Sequence, residues 1–164
     1  MRDFVIDAML GKLALWLRLT GNDTIYDTEI HDDELLAIAK DEDRLLLTSD
    51  EELFERAQKE GIETALVRGS VDDEIVDVFL KYNIKPEVDP RIARCSKCNG
   101  GLTELSGAGK EIIKDYVFEQ TYNYYDVFWF CNECESVYFE GGHWANMREY
   151  MDRIKQLMES QEIN

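Results

Sequence analysis

Along the first half of the chain, runs of consecutive apolar residues alternate with stretches in which apolar residues return every three or four positions. Phe4, Val5 and Ile6 make one such run, which ends on Asp7. Leu45, Leu46 and Leu47 make another, which passes through Thr48 and Ser49 to Asp50. Short, wholly apolar runs predict strands covered on both faces, and the returning pattern predicts helices. The strands are 3–6, 23–27, 44–48 and 62–69, and the helices are 8–21, 32–43, 51–61 and 71–83. The first helix carries Leu10, Leu13, Ala14 and Leu17 on one face and stops at Gly21. The second opens on an acidic turn and carries Leu35, Leu36, Ile38 and Ala39. Four strand–helix repeats predict an α/β fold, a parallel sheet with helices on both faces joined by right-handed crossovers.

Both prolines, Pro86 and Pro90, fall within 84–94, which is the natural linker. Beyond it, 115–119, 124–130 and 136–140 are patterned as strands and 146–161 as a helix. The expected organisation is a parallel-sheet domain over 1–88, a small cysteine-bearing unit over 89–144 and a C-terminal helix over 145–164.

Two of the predicted strands deliver an aspartate, Asp7 and Asp50, to the edge where an open parallel sheet binds its ligands. The helix after the second strand begins at the same edge. Asp32 precedes Leu35, Leu36 and Ala39 by three, four and seven positions, so it lies on the inward side of that helix, whereas Asp33 and Glu34 point outward. Asp32 and Asp50 could each be a helix cap instead. Three acids on one edge raise one another's pKa unless a cation lies between them, and hard carboxylate oxygens favour Mg²⁺ or Mn²⁺. Such an ion suits chemistry on phosphate esters. Asp72 and Asp73, opening the fourth helix, are either an outer ligand or a cap. A haloacid-dehalogenase-type phosphatase would want an acid where this chain has Met9. A receiver domain would want a second acid beside Asp7, where this chain has Ala8.

All four cysteines lie in two Cys-x-x-Cys pairs, Cys95 with Cys98 and Cys131 with Cys134, separated by an insert rich in aromatic residues. Two such pairs fit one tetrahedral thiolate site, so one structural zinc per chain is expected, within a ribbon of antiparallel strands. Two disulfides or a redox pair would be the alternatives. Loss of a cysteine ligand is expected to unfold 92–144 and to leave the α/β domain standing. Arg91, Arg94 and Lys97 form a short basic stretch free of acids, which either neutralises the surface or meets a phosphate backbone.

Composition narrows the choice. The chain has 35 acidic and 18 basic residues, a net charge of -17, with 45% hydrophobic and 11% aromatic residues. That is a globular protein, and its charge opposes non-specific attraction to nucleic acid or anionic lipid. No apolar run approaches the roughly 18 residues that cross a membrane, and no signal-peptide core is present, so no membrane partner is expected and the cytoplasm is the expected location.

The order and spacing of DAMLGKLALWLRLTGNDTIYD, DDELLAIA, RLLLTSD, RCSKCNGGL, FWFCNEC and VYFEGGHW resemble one family over residues 4 to 144: the Mut-seven C-terminal RNase domain, a PIN-like nuclease fused to a zinc ribbon. The resemblance implies a PIN-like fold and metal-dependent hydrolysis of RNA, with Asp7, Asp32 or Asp33, and Asp50 as the acidic site. RNA, in single-stranded form, is then the expected partner. Two positions depart from the family pattern: Leu15 and Ser49 stand where bases are usual. Lys12 and Arg18 remain as bases that could meet a phosphate. His143 matches a family block, where it is expected to pack or orient the ribbon. The rival to a ribonuclease is a module that keeps the fold and the zinc and binds RNA or protein with weak or no catalysis.

Overall fold

In the computed structural model, which describes residues 2–163, each apolar triplet is a strand buried on both faces. β1 (Phe4–Ile6), β2 (Thr24–Ile25), β3 (Leu45–Thr48) and β4 (Thr64–Leu66) form a parallel sheet in the order β2-β1-β3-β4. Side chains alternate across it. Phe4, Ile6, Leu45 and Leu47 enter one core with helices α1 (Gly11–Leu19) and α4 (Val71–Lys81). Val5 and Leu46 enter the opposite core with α2 (Asp32–Asp41) and α3 (Glu51–Lys59). Burial of each such side chain contributes about 1.5–3 kcal/mol, and this two-sided burial is why the runs are apolar throughout.

The expected stripes are largely met. Leu10, Leu13, Ala14 and Leu17 are buried, as are Leu35, Leu36 and Ala39, while Ile38 is half-buried. A 3₁₀ turn over Ala8–Leu10 leads into α1, and Gly21 ends that helix at φ 97, a conformation that favours glycine. α4 is closed by a capping box: Ser70 accepts from the Asp73 backbone N–H, and the Asp73 carboxylate accepts from that of Ser70. Ser70 is therefore the N-cap of α4, and Asp73 is its capping-box partner, with one carboxylate oxygen engaged by the Ser70 amide.

The second half is a three-stranded antiparallel sheet, β5-β6-β7, formed by Leu102–Ser106, Val127–Cys131 and Val137–Tyr138. One expectation fails here, and one strand lies where none was expected. Residues 115–119 are not a strand: a 3₁₀ segment, Gly107–Tyr116, runs into them and α5 (Glu119–Tyr124) runs out. The strand that pairs with β6 is instead β5, whose mixed sequence places only Leu105 in the ribbon's own core.

The C-terminal helix α6 (Gly142–Ile163) begins a turn earlier than the pattern indicates. Its Trp144, Met147, Met151 and Ile154 join the core of α1 and α4, together with Ile84, Val88 and Ala93 of the expected linker. The Trp16 and Tyr150 rings stack 4.7 Å apart, and the Tyr150 hydroxyl donates to Asp72 at 2.5 Å, where Arg153 also pairs. Asp72 thus anchors α6 to α4 and is not free for a metal. No helix among the described residues is long and apolar enough to cross a membrane.

Candidate active site and metal centre

Parallel strands end on one edge, and β1 lies between β2 and β3. Asp7 therefore leaves its strand between the segment that leads from β2 to α2 and the one that leads from β3 to α3. The Asp7 amide donates to the Leu47 carbonyl at 3.0 Å, continuing the β1–β3 pairing up to the carboxylate. Thr48, fully buried, joins the two acids: its hydroxyl donates to Asp7 Oδ2 at 2.8 Å and accepts from the Asp50 amide at 3.0 Å. Asp50 Oδ1 caps α3, accepting from the amides of Glu52 at 2.9 Å and Leu53 at 3.3 Å. Among the described residues, Asp7 Oδ1 and Asp50 Oδ2 accept no hydrogen bond, so each acid keeps one oxygen open. Thr48 is the member of the site that sequence reasoning missed. Its only signal is a hydroxyl residue two positions before the second aspartate.

α2 begins at Asp32, with His31 as the cap residue and no side-chain cap, so the reading of Asp32 as N-cap is overturned. Asp32 is exposed and takes no hydrogen bond among the described residues. Asp33 is engaged: it pairs with Arg56 of α3 at 2.6 Å in the groove between the two helices. The carboxylates of Asp7, Asp32 or Asp33, and Asp50 are not gathered as tightly as the cysteines, which are the one His/Cys/Asp/Glu group among the described residues with ligand atoms all within 4.8 Å of one another.

The expected phosphate-contacting bases divide. Lys12 and Lys97 are exposed and take no acidic partner among the described residues. Arg91 pairs with Asp89 at 2.8 Å, which raises its pKa. Arg94 donates to the Asn99 carbonyl at 2.9 Å and lies 3.7 Å from Asp23. Arg18 is a correction: it is only 6% exposed and donates to four backbone carbonyls, so it meets no phosphate. Burial pushes its pKa down, against the pull of Cys95 and Cys98. Leu15 packs half-buried against the core and Ser49 is exposed. His143 is exposed; its neighbour Trp144 does the packing expected of it.

The four thiols are free, with no disulfide among them. Cys95 Sγ lies 3.4 Å from Cys134 Sγ, and Cys98 Sγ 3.4 Å from Cys131 Sγ. Tetrahedral sulfurs at a Zn–S distance of about 2.3 Å are about 3.8 Å apart, so the cluster fits zinc with little movement. Cys95 and Cys131 are fully buried. Burial is the main cause that pushes the Cys98 thiol up to about 12. Burial also opposes ionisation of Cys134, but the Ser136 hydroxyl and amide outweigh it and bring that thiol down to about 6. A methyl group added at Gly100 would lie 2.9 Å from Cys131 Sγ and 3.1 Å from Cys98 Sγ, so the first knuckle needs glycine there.

The donor set of four soft thiolates suits a structural zinc, and the hard carboxylates at the sheet edge suit a different ion. No curated protein and no solved structure matches the chain significantly. The family model described as the Mut7-C RNAse domain matches residues 2–151, from before β1 into α6. The chain belongs to the Mut7-C RNAse domain family.

Proposed function

We propose that the protein hydrolyses phosphodiester bonds of single-stranded RNA at the carboxyl edge of its parallel sheet, with Asp7, Asp50 and Asp32 as the acidic site for Mg²⁺ or Mn²⁺. The observation that carries this reading is the Thr48 bridge. It ties the Asp7 carboxylate to the backbone of Asp50 just beyond the ends of two adjacent strands, and one oxygen of each acid stays unengaged. A divalent ion held there would neutralise phosphate charge and lower the pKa of an attacking water. Asp32 is favoured over Asp33 because Asp33 already holds Arg56. Lys12 and Lys97 are the bases best placed to meet the RNA backbone, with Arg91 and Arg94 engaged by Asp89 and Asp23. Free thiols in a site suited to zinc fit a reducing compartment, in keeping with the cytoplasm.

Net charge favours a second reading, a module that binds RNA without cutting it, since -17 repels the substrate and Leu15 and Ser49 add no base near the site. One assay separates the two. Wild-type protein incubated with labelled single-stranded RNA and Mn²⁺ should cleave it over a range of salt, and Asp7→Asn should not. Metal-dependent cleavage that survives Asp7→Asn would sink the proposed site, and none in the wild type would leave the binding module.

A further inference from the structure

Arg18 is a buried cation in an unusual setting. Among the described residues no carboxylate lies within ion-pair distance of it, and its guanidinium is ringed by carbonyls from two parts of the chain. Nε donates to Thr24 O at 3.0 Å and Nη2 to Tyr26 O at 3.4 Å, both on the outer side of β2. Nη1 donates to Ser96 O at 3.1 Å and Lys97 O at 3.4 Å, the two residues between the first pair of cysteines. A buried cation of this kind is stable where negative charge compensates it. Four thiolates around a divalent ion carry two negative charges in excess, and the first knuckle presents them beside Arg18.

β2 is an edge strand of two residues and has little pairing of its own. The knuckle covers its open side. Besides the Arg18 bonds, the Thr24 amide donates to Asn99 Oδ1 at 2.9 Å, and Asn99 Nδ2 donates to Asp23 at 2.7 Å. Beyond β2 the chain bears on the acidic edge twice. The Tyr26 hydroxyl donates to the Ala8 carbonyl at 2.8 Å, directly after Asp7, and the segment from Tyr26 leads into α2 at Asp32.

We propose that Arg18 is a positioning residue through which the zinc-loaded cysteine cluster holds the β2 edge, and with it the segment from Tyr26 to Asp32. Zinc in the ribbon then acts on the sheet edge as well as on the ribbon. The consequence for Asp32 rests on the nuclease reading above; the coupling of zinc to β2 does not.

The test uses the intact protein and no RNA. Hydrogen exchange is followed with and without a zinc chelator. Peptides spanning 24–32 should lose protection on zinc removal while those spanning 45–66 keep it. In Arg18→Met, cobalt titration followed by the thiolate charge-transfer band should show metal affinity lowered by roughly 10–100-fold, the effect of removing a partner just outside a ligand shell. Arg18→Lys keeps the charge but has one nitrogen for four carbonyls, so it should recover part of the affinity and none of the protection at 24–32. Unchanged exchange at 24–32 after chelation would overturn the proposal, as would a uniform rise along the whole chain. Wild-type cobalt affinity in Arg18→Met, or full recovery of both properties in Arg18→Lys, would also overturn it. If Arg18→Met does not fold, chelation of the wild type decides. Normal Asp7-dependent cleavage with unchanged exchange would remove the coupling alone, whereas coupling in a protein that does not cleave RNA would remove the nuclease reading alone.

Discussion

Thr48 Oγ1 gives its proton to Asp7 and takes the amide proton of Asp50, so one hydroxyl sets the spacing of two acids. Thr48→Val keeps the shape and removes both bonds, at a cost of about 0.5–1.5 kcal/mol for each. It is expected to weaken Mn²⁺ dependence of cleavage as well, and Thr48→Ser to restore both; metal titration of the rate and urea denaturation would check this. Asp50 caps α3 and, in the proposed site, would also face the metal, and substitution can separate the two. Asp50→Asn should retain the cap and lose cleavage, while Asp50→Ala should also lose about 1 kcal/mol of stability. Asp33→Asn should leave cleavage and melting close to wild type, because Asp33 is 87% exposed and its one partner is a surface arginine. Loss of cleavage in Asp33→Asn with retention in Asp32→Asn would move the third acid to Asp33.

At the scale of elements, α6 is held by apolar burial along one stripe and by a polar clasp at Asp72. Met151→Ala is expected to cost about 2–5 kcal/mol, as large-to-small changes in a packed core do, measured by denaturant unfolding. The clasp is sensitive to pH. The bond from the Tyr150 hydroxyl is the largest influence on the Asp72 carboxyl and, with Arg153, outweighs burial and holds it below the usual carboxylate range. A carboxyl lowered in the folded state contributes stability above its unfolded value, and that contribution is lost as pH falls through the folded one. Melting temperature should therefore fall less between neutral and acid pH in Asp72→Asn than in the wild type. An identical acid limb in the two proteins would show that Asp72 carries none of it. These contacts join residues 78 and 81 positions apart and leave no local mark in the sequence. That 146–161 would be a helix was legible in the sequence. What it packs against was not.

For the whole molecule, two separate kinds of glue are at work. The core of α1 and α4 includes Trp144, Met147, Met151 and Ile154 from α6, so a fragment of residues 1–88 lacks one wall of its own core. That fragment is expected to melt without cooperativity by far-UV circular dichroism, and a sharp transition would contradict the shared core. The expectation that the α/β domain stands unaltered when the ribbon fails needs the same amendment, because the first knuckle covers β2. Self-repulsion acts on the entire surface. At a net charge of -17, moderate salt should raise the melting temperature while RNA affinity falls, since screening relieves repulsion within the protein and also weakens phosphate contacts.

Some features were fixed locally. The triplets Phe4–Ile6 and Leu45–Leu47 are stable with both faces covered, and their alternation with helical stretches makes the sheet parallel with helices on either side and sends Asp7 and Asp50 to one edge. Two Cys-x-x-Cys pairs suffice for a thiolate site because a knuckle's geometry resides within its own few residues. By contrast, β5 was hidden because its pattern has meaning only opposite β6, and residues 115–119 read as a strand because alternation over so short a span does not separate strand from turn. Arg18 is the clearest case. On a helix next to a proposed nuclease site it reads as a phosphate ligand, and only the fold brings Ser96 and Lys97 to it across 78 and 79 positions of chain and makes it part of the interior. Residue type sets what a side chain can bond to; which partner it meets, and whether water is left between them, is decided by the packing of distant segments.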